Sequence, residues 1–165
     1  MQIFGGSLGN HRPNEIFSDG SNLRIAVVAG KWNSPYSEMI IDGAVSALLE
    51  QRVKESNISI VRVPGSYEIP VVCKKVLSSG SFDAVLALGI LVEGETDHYR
   101  LIADNVSRLL SDLSVQYSIP ISLGILTAKN EQQIIDRLGG AKGHIGRDAA
   151  LAAVETALII NSEIF

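Results

Sequence analysis

Short runs of consecutive apolar residues, many of them β-branched, recur along the chain, and each is followed by a segment with helical spacing. The runs extend over Arg24 to Ala29, Ile58 to Val63, Ala84 to Ile90 and Ile119 to Leu126. They lack the strict polar alternation of a strand with one face in water, so both faces are expected to be buried. Buried strands linked by helices pair in parallel with right-handed crossovers. The chain is therefore predicted to be an α/β protein, a flavodoxin-like three-layer α/β/α sandwich with a central four-stranded parallel sheet.

Between these runs, apolar residues recur at intervals of three and four, which is typical of amphipathic helices. Pro35 and Pro70 fall in the first turns of two such segments, where a missing N–H removes no helical hydrogen bond. The predicted helices extend over Pro35 to about Val53, Tyr67 to Leu77, Asp97 to Tyr117, Asn130 to Arg137 and Asp148 to Ile160.

The first 23 residues differ from the rest of the chain. Gln2 to Leu8 is compatible with a short strand, and Gly9 to Asn22 is polar and loop-like. A short strand outside a compact domain has no partner of its own, and pairing with a neighbouring subunit's sheet would protect that sheet's edge. We expect residues 1–23 to form an N-terminal arm and residues 24–165 to form a single domain.

The composition of the chain argues against several classes of protein. Apolar residues make up 46% of the chain and charged residues only 19%, which suggests that other subunits cover part of the surface. A net charge of −4 argues against nucleic acid as a partner. The single cysteine, Cys73, excludes a disulfide framework and a cysteine metal cluster. No apolar run has transmembrane length and Met1 to Gly20 lacks a signal-peptide pattern, so we expect a cytoplasmic protein without a membrane partner.

Three loops that follow predicted strands carry aromatic or polar residues. Trp32 and Asn33 follow the first strand, the segment Pro64 to Glu68 follows the second, and His98 begins the helix after the third. The carboxyl ends of parallel strands share one edge of the sheet, where ligands usually bind. Amides at a helix start attract anions, and imidazole exchanges protons near neutral pH. The three loops together predict a site for a planar polar heterocycle and an anion.

Each of these residues also fits a purely structural role. His98 fits a surface position at a helix start, Ser66 fits an N-cap, and Trp32 fits a core position. Arg137 fits a solvated residue at a helix end, and Cys73 fits core packing. The sequence contains neither a GxGxxG nor a GxxxxGK[ST] motif, so a dinucleotide site or a P-loop has no support.

Several motifs in this order resemble the lumazine synthase family. They are Trp32-Asn33, Pro64 to Pro70, Gly94-x-Thr96-x-His98-Tyr99 and Gly124 to Thr127, within a resemblance that runs from Arg24 to Leu158. Met1-Gln2-Ile3 is similar to the family's N-terminal strand, whereas Asn10 to Asp19 looks like an insertion. The resemblance implies condensation of 5-amino-6-(D-ribitylamino)uracil with 3,4-dihydroxy-2-butanone 4-phosphate in riboflavin biosynthesis. It implies no metal and no organic cofactor.

The resemblance also implies roles for individual residues. His98 is expected to carry protons, Trp32 to stack on the pyrimidine ring, and Glu95 and Thr96 to bind phosphate through their amides. Leu123 and Arg137 match positions that the adjacent subunit contributes, and Arg137 is expected to pair with the phosphate. The expected substrate-binding set is Trp32, Asn33, Ser66, Tyr67, Glu68, Ile90, Leu91, Val92, Glu95, Thr96, Leu123 and Arg137. The family forms homopentamers, which often pack into icosahedral capsids of 60 subunits.

Four positions depart from the family pattern. Glu93 stands where Arg or Lys is usual, and Glu95 where a small residue is common. Leu123 stands where Phe is frequent, and Ile145 where Lys is frequent. With Asp97, these positions give three acids within a stretch of six residues, which raises the cost of holding a phosphate nearby and predicts weaker and more salt-sensitive binding of the butanone phosphate. Cations elsewhere in the chain offset part of this repulsion: Arg137, Lys142 and Arg147.

Two other functions are compatible with the same sequence. One is a family member that mainly binds flavin or lumazine, with catalysis reduced by the acidic substitutions. The other is a protein whose main role is to form a shell. Turnover, ligand binding and the effect of replacing His98 distinguish the three.

Overall fold

The computed structural model describes residues 19–162. The strands of its main sheet are β1 (Ile25–Gly30), β2 (Ile58–Val63), β3 (Ala84–Val92) and β4 (Ile121–Ala128). They are parallel and lie in the spatial order β2-β1-β3-β4, which confirms the predicted strand number and direction. The central strands β1 and β3 are buried along nearly their whole length, as their continuous apolar sequences predict.

Helices cover both faces of this sheet and produce two separate apolar cores. The helices are α1 (Tyr36–Glu50), α2 (Ile69–Leu77), α3 (His98–Tyr117), α4 (Glu131–Asp136) and α5 (Ile145–Ile160). The first core lies between the sheet and helices α1 and α5, and the second lies between the sheet and helices α2 and α3. This is the predicted flavodoxin-like three-layer α/β/α sandwich.

The edge strand β2 is less covered than the central strands. Ile60 and Val61 remain 46% and 37% exposed, although both are apolar. An edge strand with exposed apolar side chains is a surface on which another strand can pair. The predicted arm strand, Gln2 to Leu8, lies outside the described residues.

Several helices begin or end at other residues than the sequence predicted. Helix α1 ends at Glu50 rather than near Val53, and α5 begins at Ile145 rather than at Asp148. Between α4 and α5 the chain forms a hairpin, β5 (Leu138–Gly140) and β6 (Gly143–His144), where the sequence predicted only a break. Gly139 and Gly143 have φ of +107° and +81°, a conformation that glycine adopts without strain. The glycines therefore form a turn that returns the chain on itself.

The segment at the start of the described residues packs against the domain. Leu23 is only 4% exposed and belongs to the first core, while the Gly20 amide donates to the Gln51 carbonyl at 2.8 Å. No helix in residues 19–162 is both long and apolar enough to cross a membrane.

Candidate active site

An open cavity of about 290 Å³ lies where the carboxyl ends of β1 and β3 meet. The chain leaves β1 toward β2 on one side and leaves β3 toward β4 on the other, so this is the point where the strand order reverses. Loops diverge there and leave a crevice above the sheet. The cavity is lined by Trp32, Asn33, Ser66, Tyr67, Ile90, Leu91, Val92, Gly94, Thr96, His98, Tyr99 and Ile102.

The loop after β1 holds Trp32 at the rim of this cavity. The amides of Lys31 and Trp32 donate to the carbonyls of Val63 and Pro64 at 2.9 and 3.2 Å, which joins this loop to the end of β2. The indole lies against Gly65, where a Cβ atom would lie only 2.6 Å from the ring. Trp32 is 62% exposed, so the core interpretation of this residue is wrong. A large ring held open to solvent is suited to stacking on a planar ligand.

Asn33 connects the two central strands across the crevice. Its side-chain Nδ2 donates to the carbonyl of Ile90 at 2.9 Å, and its φ of +65° directs the loop toward β3. The hydrogen bond satisfies the Ile90 carbonyl at the point where the sheet opens. Asn33 thus joins the loop after β1 to β3 within the cavity lining.

Ser66 approaches the sheet closely because β3 carries a glycine opposite it. Ser66 is 4% exposed, and a Cβ atom on Gly89 would lie 2.5 Å from the Ser66 hydroxyl oxygen. The short turn Ser66–Glu68 therefore lies directly on β3 and presents Tyr67, which is 61% exposed, at the cavity rim.

Glu68 lies beside the cavity and not in its lining. Its carboxylate Oε2 accepts a hydrogen bond from the Gly65 amide at 2.9 Å, which stabilises the start of the turn before α2. Glu68 belongs to the expected substrate-binding set, and with Oε2 on the Gly65 amide its other carboxylate oxygen is the one left to contact a substrate.

His98 is the first residue of α3 and faces the cavity. Asp97, at the N-cap position, makes no side-chain hydrogen bond to the helix start. The first amides of a 20-residue helix therefore lack a side-chain cap, next to Thr96 and Gly94. Uncapped amides and the helix dipole favour an anion at this position, within reach of an exposed imidazole.

Three acidic residues lie close in sequence to the start of α3. Glu93, Glu95 and Asp97 are all exposed, and none of them belongs to the cavity lining. Partial removal from water, with a further contribution from the Glu93 carboxylate, raises the pKa of Tyr99 above its ordinary value. The Tyr99 phenol is protonated at neutral pH, as a tyrosine with its ordinary pKa of 10 also is, and a hydrogen bond to the Glu93 carboxylate contributes to the rise.

A second cavity, of about 520 Å³, lies at the carboxyl end of β4 beside α4 and the hairpin. Arg137 is half-buried there, and its Nη1 donates to the Lys142 carbonyl at 3.0 Å. Leu123 is 49% exposed on β4 and lines neither this cavity nor the one at His98. Within one protomer, the structure does not bring Arg137 or Leu123 to His98.

The sequence analysis missed three residues of the cavity wall as contributors to the site: Gly94, Tyr99 and Ile102. Tyr99 follows His98 directly, and Ile102 lies one helical turn after His98 on the same face of α3. Helical spacing from His98 is the signal that points to Ile102. In residues 19–162, no group of three or more His, Cys, Asp or Glu side chains is placed to hold a metal ion.

Comparison with known proteins identifies relatives over most of the chain. The family model described as 6,7-dimethyl-8-ribityllumazine synthase matches residues 22–161. Two curated relatives with that name come from Buchnera aphidicola subsp. Acyrthosiphon pisum, strains Tuc7 and 5A. Each is 43% identical to this chain over 135 residues, which cover 81% of this chain and 84% of the relative.

Proposed function

Because the chain belongs to the 6,7-dimethyl-8-ribityllumazine synthase family, we propose that it joins a ribitylated aminouracil to a four-carbon phosphorylated ketone. The substrates are 5-amino-6-(D-ribitylamino)uracil and 3,4-dihydroxy-2-butanone 4-phosphate. The products are 6,7-dimethyl-8-ribityllumazine, inorganic phosphate and water. The enzyme is a transferase of riboflavin biosynthesis.

One observation carries this proposal: His98 lies at the uncapped start of α3, in the same cavity as the exposed Trp32. The condensation needs a flat recognition surface for the pyrimidine and a phosphate site close to a proton carrier. The uracil amine attacks the ketone to form an imine with loss of water. Phosphate then leaves, and ring closure with a second dehydration gives the lumazine. His98 carries protons between nitrogen, carbon and the departing phosphate in these steps.

The other cavity residues bind and orient the two substrates. Trp32 stacks on the pyrimidine, and the main chain of Ser66, Tyr67, Leu91 and Val92 surrounds its polar edge. Because the Ile90 carbonyl already accepts a hydrogen bond from Asn33, we assign these two residues mainly to the support of that edge.

The phosphate and the ribityl chain are bound at opposite ends of the cavity in this proposal. The amides of Glu95 and Thr96, with the start of α3, bind the phosphate. The free oxygen of the Glu68 carboxylate binds ribityl hydroxyls, while Oε2 remains on the Gly65 amide. Holding both substrates in one crevice contributes much of the rate, because it converts a bimolecular encounter into a reaction between positioned groups.

The complete site in this proposal needs two protomers. Arg137 and Leu123 lie away from the His98 cavity of their own protomer, and both are accessible at its surface. We assign them to the cavity of an adjacent subunit in a homo-oligomer, a pentamer that can pack further into a capsid of 60 subunits. The cytoplasmic location expected from the sequence belongs to the same proposal.

The proposal is tested by mixing the purified chain with both substrates and following lumazine fluorescence and phosphate release together. We expect equal amounts of the two products. Trp32→Leu should raise the KM for the aminouracil, whereas Trp32→Tyr, which keeps an aromatic ring, should raise it less. Tight binding of a flavin, seen as quenching of its fluorescence, together with no turnover would overturn the enzymatic function in favour of a flavin-binding one.

A further inference from the structure

The cavity around Arg137 contains a second cation that the predicted site does not include. Lys142 lies in the lining of the same 520 Å³ cavity, on the turn between β5 and β6. We propose that the Lys142 ammonium group binds the phosphate of the substrate together with Arg137, across the subunit boundary. This inference rests on the proposed function, since it assigns a further residue to the same phosphate.

The main chain of Lys142 already positions Arg137. Its carbonyl accepts a hydrogen bond from Arg137 Nη1 at 3.0 Å, and its amide donates to the Asp136 carbonyl at 2.8 Å. The Ile145 amide donates in turn to the Arg137 carbonyl at 2.9 Å. The backbone around Lys142 is therefore fixed relative to the guanidinium, while the Lys142 side chain is exposed and free to bind an anion.

The charges around this cavity are not balanced by ion pairs. In the described part of the chain, five cations lie in ion pairs with carboxylates, and neither Arg137 nor Lys142 is among them. Asp136 is the acid in the cavity lining, and its carboxylate accepts a hydrogen bond from the Gln132 side chain at 2.9 Å. The lining therefore carries two cations without an ion-pair partner and a single acid, and this excess of positive charge favours an anionic ligand.

A phosphate monoester fits this pair of cations. Arginine binds phosphate through two parallel N–H groups, whereas lysine contributes a compact charge that adapts to the remaining oxygens. The acids at the start of α3, Glu93, Glu95 and Asp97, oppose the same phosphate from the other side of the proposed site. One guanidinium offsets these three negative charges only in part, and a second cation offsets them further.

The experiment compares Lys142→Ala with Lys142→Arg in the full chain. Lys142 does not have positive φ, so both residues fit its backbone, and the carbonyl that holds Arg137 remains. We expect Lys142→Ala to raise the KM for the phosphorylated substrate about tenfold, with kcat and the KM for the aminouracil little changed. Inorganic phosphate should inhibit this variant about tenfold more weakly. Lys142→Arg should stay close to the unmodified chain in both measurements.

Lys129→Ala is the matched control, because it removes an exposed lysine just after β4 that does not line the cavity. An unchanged KM and unchanged phosphate inhibition in Lys142→Ala, or the same change in Lys129→Ala, overturns the role of Lys142. A loss in Lys142→Arg equal to that in Lys142→Ala overturns it as well. Absence of condensation by the unmodified chain overturns the proposed function instead, so the two failures are distinguishable.

Discussion

At the scale of single residues, the site depends on glycines that let functional side chains approach the backbone. Trp32 lies against Gly65 and Ser66 lies against Gly89. Both contacts are so close that a Cβ atom on the glycine would clash with the neighbouring side chain. A larger residue at either glycine would push Trp32 or Ser66 away from the backbone that it contacts. His98 is positioned differently, by the start of α3.

We predict that His98→Ala slows turnover and does not abolish it. Proton transfer by a positioned side chain typically contributes ~10²–10⁴-fold, and kcat should fall within that range because substrate positioning by the cavity remains. His98 is exposed, so the variant should keep the unfolding temperature of the unmodified chain. Steady-state kinetics with both substrates measure the change. An unaltered kcat would remove His98 from the mechanism.

We predict that Glu93→Gln strengthens binding of the phosphorylated substrate. A charge pair at close range is worth about 1 kcal/mol in water, so removing this repulsion should lower the KM roughly fivefold at low salt. High salt should reduce the difference, because exposed charges are screened. The control is Glu55→Gln, which neutralises an exposed acid in the turn before β2. A KM that responds neither to salt nor to Glu93→Gln contradicts the predicted electrostatic penalty.

At the scale of elements, two contacts connect parts of the fold that are distant in sequence. The turn before α2 packs on β3 through Ser66 and Gly89. Helices α1 and α5 are joined by Glu50 and Arg147, whose two hydrogen bonds measure 2.9 and 2.6 Å. Glu50 lies at the C-terminal, negative end of α1, and Arg147 lies near the N-terminal, positive end of α5. Each charge interacts unfavourably with the dipole of its own helix, and the ion pair between the two offsets this.

We predict that Gly89→Ala destabilises the fold by about 1–3 kcal/mol, the usual cost of overpacking a core. The added methyl group would lie 2.5 Å from the Ser66 hydroxyl oxygen and 3.4 Å from the Ile69 side chain. Ser66→Ala removes the closer atom, so Gly89→Ala should cost less in that background. Urea unfolding of the four chains in this cycle measures the coupling. If the changes in unfolding free energy of the two single variants simply add in the double variant, the Ser66–Gly89 contact is not the cause of the destabilisation.

The Glu50–Arg147 pair predicts a pH-dependent contribution to stability. Hydrogen bonding to Arg147 lowers the pKa of Glu50 below its ordinary value of 4.5. A carboxyl with a lowered folded-state pKa stabilises the fold above that ordinary value and loses its contribution as pH falls through the lowered pKa. Glu50→Gln should therefore lower the unfolding temperature at pH 7, with a difference that vanishes in acid. Thermal unfolding of both chains from pH 7 into acid measures this difference in unfolding temperature. A difference that does not change with pH contradicts the prediction.

At the scale of the whole molecule, one protomer carries two incomplete halves of the proposed site. The His98 cavity lies at the carboxyl ends of β1 and β3, and the Arg137 cavity lies at the end of β4. In a cyclic homo-oligomer, each protomer would give its Arg137 to one neighbour and receive the neighbour's on the other side. Catalysis would then depend on assembly.

We predict that two impaired variants restore activity to each other. When His98→Ala and Arg137→Ala protomers assemble together in equal amounts, roughly a quarter of the sites should combine an intact His98 with a partner's intact Arg137. Coexpression and assay at a low concentration of the phosphorylated substrate measure the recovered rate. Activity equal to the mean of the two separate variants would mean that each site belongs to one protomer. Sedimentation of the same samples reports whether pentamers or larger shells form.

The sequence by itself determined the parallel sheet, its helices and the three loops of the His98 cavity. These follow from local rules: β1 and β3 are continuous apolar runs, and strands linked by helices end at a common edge. Trp32 lies in the loop after β1 and His98 begins the helix after β3, so their location at the same edge of the sheet was predictable from the strand–helix alternation.

Tertiary structure alone decided how individual side chains are used. In the folded chain Trp32 is exposed, and the Asn33 side chain donates to the Ile90 carbonyl. The Glu68 carboxylate accepts from the Gly65 amide, and a carbonyl of the β5–β6 hairpin accepts from Arg137. Each of these depends on a contact between backbone segments whose relative position no local pattern encodes. Burial and hydrogen-bond partners are properties of the packed chain, because a side chain's neighbours exist only after the layers have come together.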